Sequence, residues 1–344
     1  MNKINLNKSA GALLGSRSTT LIFIGIIAAF CLFLAAWLPA RSTGDGSRKI
    51  NFEIERGSGM MRTAQNLNEQ NLLRNEFFFR VMMKLTGRDN SLKAGLYELN
   101  DGMSAYQIGS ILASGKVLLK RLTIPEGYTN KQIAQAAVLA GYCNTADEFL
   151  SLTEDPETLK KYNIFGKSTE GFLFPETYFL AAGAPIAQLH EAMLDRFFKT
   201  LPQADPPKDL TAEQLYKAVI MASIVEREAV HRIEMPKMAG VYYNRIQKGM
   251  RLEADPTIQY ILGDPKKKLY LKDLEVKSPY NTYRNKGLPP GPISNPGIEA
   301  LKAAFHPQSH DYLFFVLKPD QTHEFTKNYK DHLQAKKIFL DSQK

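Results

Sequence analysis

The chain has 344 residues, 44% of them hydrophobic, with 44 Lys+Arg against 35 Asp+Glu and a formal net charge of +9. That length supports one large or two ordinary domains with real cores. The excess of cations suits an anionic polymer or phospholipid headgroups, and its scatter, with no basic groove studded with aromatics, argues against nucleic acid as a partner. Two cysteines, Cys31 and Cys143, are too few for a disulfide framework.

The first element in chain order is Leu21 to Leu38, LIFIGIIAAFCLFLAAWL, without charge, Asn or Pro. As a helix it would be about 27 Å long, close to the hydrocarbon thickness of a bilayer. It exceeds a signal-peptide core, and Leu38-Pro39-Ala40 lacks the small-x-small pattern of a cleavage site. A retained single-pass anchor over 21–38 is therefore expected. The tail, residues 1–20, carries Lys3, Lys8 and Arg17 and no acid, so it is expected in the cytoplasm with the bulk of the chain beyond the membrane. Residues 39–49 form a linker, whose Ser42 to Arg48 (STGDGSR) is a flexible spacer.

A short pattern then recurs. Gly102 is followed by a helix start at Ser104 with Ile108 in register, and Gly127 by Thr129 with Ile133; a weaker copy starts at Gly57, with Ala64 and Leu67 in register. Alternation typical of a strand precedes the copies, over 51–56 and from Leu122 to Glu126. Each unit reads as strand, Gly turn and capped helix. Three such copies resemble LysM-type modules, which implies a small glycan-binding α/β module over residues 50–120.

Further along, Thr211-Ala-Glu-Gln214 is a capping-box start for the helix that carries Glu226. Met235-Pro236 opens a second helix that stops at Gly249, and Asp255-Pro256 and Asn295-Pro296 read as N-cap and N1 pairs, with Gly263 closing the first. Tyr312 to Val316 reads as a buried strand and Thr326 to Leu340 as a terminal helix. The fold class expected is α+β.

Glu226 closes an almost wholly apolar run that begins at Ala218. A carboxyl so placed faces low dielectric, which raises its pKa toward the range of a general acid. Two rigid Pro-Gly stretches, from Ser278 to Tyr283 and from Gly287 to Gly297, display Tyr, Asn, Thr and Ser, the groups that bind sugar rings. His306 and His310 are separated by Pro307, and no His-Glu-x-x-His, Gly-x-Ser-x-Gly or Gly-rich phosphate loop occurs. No metal and no cofactor are expected.

The stretches Ile124–Thr129 (IPEGYT), Glu170–Tyr178 (EGFLFPETY), Ala222–Glu228 (ASIVERE), Val241–Arg245 (VYYNR), Asp255–Thr257 (DPT), Ser278–Tyr283 (SPYNTY), Gly287–Ile293 (GLPPGPI) and Asn295–Gly297 (NPG) together resemble the YceG-like family of bacterial inner membranes. Where the family usually has a polar amide and a small residue before Asp255, this chain has Glu253-Ala254. The resemblance implies a catalytic domain over 121–344 and a lytic transglycosylase that cuts between N-acetylmuramic acid and N-acetylglucosamine within peptidoglycan strands, with Glu226 as catalytic residue. It also implies peptidoglycan strands and peptidoglycan synthases as partners. Arg245, Tyr280, Asn281 and Tyr283 are candidate contacts to sugar or stem peptide, and Glu170 and Glu176 candidate supports of the loop geometry. Asp255 is counted with them, although Asp before Pro is also what a helix start requires. The alternative is a membrane-anchored, non-catalytic scaffold that binds peptidoglycan for the cell-wall or division machinery.

Overall fold

A computed structural model of the chain describes residues 21–28, 40–55, 57–263 and 269–342. Two compact units are present, one comprising Met1–Leu119 with Ala181–Gly183 and the other Lys120–Leu180 with Ala184–Lys344.

In the first unit, β1 (Lys49–Ile54) pairs antiparallel with β2 (Gly95–Asn100), in a register that sets Phe52 opposite Tyr97. Their alternation points Phe52, Ile54, Tyr97 and Leu99 into the core. Helices α1 (Met60–Glu69), α2 (Glu76–Leu85) and α3 (Ala105–Ser114) supply Leu67, Phe79 and Ile108 to the same cluster. As expected, Ser104 caps α3, in a reciprocal capping box with Gln107.

In the second unit, β3 (Leu119–Thr123) pairs with β4 (Thr177–Ala181), and α4 (Asn130–Leu139) follows with Thr129 and Gln132 as its capping box. Helices α5 (Ala146–Thr153), α6 (Pro156–Lys161) and α7 (Ile186–Thr200) lead to α8 (Ala212–Glu228), the axis of the core. The apolar run predicts burial around the whole circumference, and Val219, Met221, Ala222, Ile224 and Val225 are fully buried. Each large apolar side chain so buried is worth about 1.5–3 kcal/mol. Helices α9 (Met235–Gln247), α10 (Asp255–Leu262) and α11 (Ile298–Phe305) pack on α8. An antiparallel hairpin of β5 (Phe314–Leu317) and β6 (His323–Thr326) and then α12 (Tyr329–Ser342) complete the unit.

Four sequence expectations shift. Asp255 is the first residue of α10 and Ala254 its N-cap, because Thr282 Oγ1 and Thr257 Oγ1 already serve the backbone there. Helix α11 starts at Ile298 with Gly297 as N-cap, the side chain of Asn295 being engaged elsewhere. The strand expected at Tyr312 begins at Phe314, and only Phe314 of it is buried. Thr326 belongs to β6, so the terminal helix begins at Tyr329.

Of the expected anchor, residues 21–28 are helical with exposed side chains, while residues 29–39 and the tail, residues 1–20, lie outside the described residues. Among the described residues no helix is long and apolar enough to cross a membrane.

Candidate active site

Glu226 sits in the last turn of α8, and Ser223, one turn earlier, ties a loop to it. The Ser223 hydroxyl donates to the Ile220 carbonyl at 2.7 Å and accepts the Ile293 N–H at 3.0 Å. The Ser294 hydroxyl donates to the Ser223 carbonyl at 3.1 Å. The loop thus runs along the helix, and at its end the Gly297 N–H donates to Glu226 Oε2 at 2.9 Å.

A second loop is laced to the first. Gly127 N–H donates to the Asn295 carbonyl at 2.9 Å, and Asn295 N–H donates to the Tyr128 carbonyl at 2.8 Å. Gly127 has φ +77°, and a Cβ there would lie 3.6 Å from Glu226 Cγ and 3.2 Å from Arg227 Cδ. Glu126, next to it, forms an ion pair with Arg232. A Cβ on Gly297 would collide with the Glu126 carboxylate.

Burial of Glu226 pushes its pKa up to about 7, against the lowering effect of the Gly297 N–H. The Glu126 charge raises it further, while Arg232 and Arg227 lower it. A protonated Glu226 can keep Oε2 on Gly297 and offer the proton on Oε1.

Asn295, fully buried, is the knot of the site. Its Oδ1 accepts the N–H groups of Gly171 and Leu173, and its Nδ2 donates to the Tyr128 carbonyl, Asn130 Oδ1 and Glu170 Oε1. Glu170 also accepts the Asn130 N–H at 3.0 Å. Its burial pushes the Glu170 pKa up to about 8. Beside this knot opens a cleft of about 730 Å³, lined among others by Asn130, Glu170, Arg227, Gln259, Tyr260 and Tyr280. Its hydroxyls, amides and tyrosine rings are the groups that hold a polyhydroxylated ligand.

This arrangement rests on segments that the YceG-like family model also covers, for it matches residues 52–338. The endolytic murein transglycosylase of Bacillus subtilis is 34% identical over 315 residues, 87% of each chain. The chain belongs to the YceG-like family. A second relative of that description, from Streptococcus pneumoniae, is 29% identical over 91% of this chain and 63% of its own length. The crystal structure of a yceG-like protein from Listeria monocytogenes has 35% identity and a TM-score of 0.58, over 83% of this chain and 99% of that one.

Within this YceG-like chain the other sequence candidates divide. Tyr280 and Glu170 line the cleft beside Arg227. Tyr283 donates its hydroxyl to Asp255, next to Glu228, whose burial pushes its pKa up to about 7. Asn281 is fully buried and spends its amide on the carbonyls of Leu274 and Val276. Arg245, also buried, donates to the carbonyls of Leu313 and Leu252. Asn281 and Arg245 thus hold backbone in place. Glu176 pairs with Arg196, and its carbonyl accepts the Ile124 N–H. His306 and His310 reach the carbonyls of Asp205 and Lys237, and among the described residues no group of three or more His, Cys, Asp or Glu could hold a metal ion. Sequence reasoning missed Ser223, Gly297 and Glu126 as parts of the site. Positive φ at Gly127 is invisible in sequence, but the paired Pro-Glu-Gly and Asn-Pro-Gly turns were a signal for the last two.

Proposed function

We propose that the chain is an endolytic lytic transglycosylase of peptidoglycan in which Glu226 acts first as acid and then as base. The reading is carried by a half-buried carboxyl whose pKa burial raises to about 7, fixed by one backbone N–H, with the next residue, Arg227, lining a polar cleft. Glu226 protonates the glycosidic oxygen, and the bond from C1 of N-acetylmuramic acid breaks with its electron pair on the leaving oxygen. The C6 hydroxyl of the same sugar then attacks C1, and anionic Glu226 takes its proton. A 1,6-anhydro ring results and no water is added, so one carboxyl suffices where hydrolysis ordinarily takes two. The names of the Bacillus and Streptococcus relatives support the reaction class. A purely binding scaffold has no use for a protonated acid.

The test is Glu226→Gln, which keeps volume and removes the proton. Loss of general acid–base catalysis typically costs about 10² to 10⁴ in rate, and one residue serves both steps here, so the loss belongs at the upper end. Wild-type chain should release fragments with anhydro ends, one water lighter than hydrolysis products. Reducing ends from wild type, or undiminished cutting by a folded Glu226→Gln, would refute the assignment.

Anchoring by Leu21–Leu38 on the extracytoplasmic side of the inner membrane is part of this reading. It is supported by the unbroken apolar sequence and by the helical, exposed residues 21–28. Residues 50–120 as a LysM-like glycan-binding module, followed by a catalytic domain over 121–344 that works beside peptidoglycan synthases, complete it.

A further inference from the structure

Glu126 has no part in the scheme above, yet the fold holds it beside Gly297 and Glu226. The backbone of Gly127 and Tyr128 is hydrogen-bonded in both directions to Asn295, so residue 126 cannot drift from Gly297. Gly297 is shared: its N–H binds the Glu226 carboxyl, and its α-carbon is covered by the Glu126 carboxylate. Only glycine leaves room for both. Arg232, from the 3₁₀ turn after α8, closes on Glu126 from outside. The groups facing Glu226 are thus Glu126 from the loop after β3, Arg227 on its own helix, Arg232 beyond the helix end, and the N–H of Gly297, the N-cap of α11.

We propose that Glu126, held by Arg232, is a positioning residue for the proton of Glu226, keeping it there until a leaving oxygen arrives and then making the spent carboxylate a stronger base toward the C6 hydroxyl. This rests on the transglycosylase reading. A like charge held against the same glycine disfavours the anion of Glu226 in both roles. Before bond cleavage that means the acid is still loaded at neutral pH. After cleavage it means the anion regains a proton more readily, which is what its second task requires. The proton leaves Glu226 for the glycosidic oxygen and returns from the sugar hydroxyl, and Glu126 takes up neither. Arg232, paired with Glu126, lowers the pKa of Glu226 and so moderates the repulsion, and Glu226 can still be discharged.

The experiment is the rate of anhydro-end formation by the full chain on purified glycan strands between pH 5 and 9. Wild-type rate should fall on the alkaline side as Glu226 loses its proton. Glu126→Gln and Glu126→Ala, which remove the neighbouring charge, should move that limb to lower pH by roughly one unit. Glu126→Asp, which keeps the charge, should leave it near the wild-type position. A purely structural Glu126 would lower the rate at every pH without moving the limb, and Asp would not differ from Ala in position. A limb that stays put or moves up in both neutral variants overturns the proposal. Two variants guard against one that fails to fold. Absence of anhydro ends from wild-type digests would instead overturn the transglycosylase reading itself, so the two failures are distinguishable.

Discussion

Glu170 shows what a single buried carboxyl does to the molecule. Its folded pKa of about 8 lies above the model-compound value of 4.5, so the native state holds a proton that the unfolded chain releases. For such a group the native state binds more protons between those two values, and its contribution to stability falls as pH rises from about 4.5 through about 8. Glu226 and Glu228, raised for the same reason, act in the same direction up to about 7. Glu170→Gln keeps an acceptor for Asn130 and Asn295 and cannot ionise. Its melting temperature relative to wild type should therefore climb between pH 5 and pH 9, and a difference independent of pH would show that Glu170 carries no such proton.

Helix α8 makes the site a matter of one element and two loops. Ser223→Ala would leave the buried Ile293 N–H without its acceptor, at a cost of about 1–3 kcal/mol. Because that bond lays the loop along the helix, the rate of cutting should fall more than the stability loss explains. Urea melts set beside strand digestion would separate the two effects, and full activity in a destabilised variant would show that Gly297 is held without Ser223. What was legible in the sequence follows the same division. The helix, its cap at Thr211 and the acid at its end could be read because burial and capping leave a local pattern over consecutive residues. What Asn281, in a Pro-Gly loop, and Arg245, on α9, face could not be read from their polarity, which does not reveal that their side chains hydrogen-bond backbone carbonyls. Asn295 read as a helix cap for the same reason, since its true partners at Gly171, Leu173 and Glu170 lie over a hundred positions upstream.

On the scale of the whole molecule, each of the two units has its own buried cluster, one around Phe52, Phe79 and Tyr97 and the other around α8. Separate cores favour separate tasks. Deleting residues 50–118 should weaken retention on insoluble peptidoglycan while soluble strand fragments are still cut, provided the two-stranded sheet of β3 and β4 is kept. A pull-down alongside digestion measures both, and unchanged retention by the folded variant would sink the glycan-binding assignment. Detergent-free fractionation, with N-terminal sequencing of the membrane-bound chain, checks the anchor; a mature chain starting near Arg41 would refute it.

The lacing of Tyr128 to Asn295 spans 167 positions. Contacts of that separation form late, because the loop they close must be ordered first. A chain emerging from its ribosome or across a membrane would therefore carry Glu226 already on its helix but without Gly297 beneath it and without Glu126 at its side. The Glu226 site would thus stay incomplete until residues 295–297 had been placed against the loop at 126–128, with timing set by chain topology.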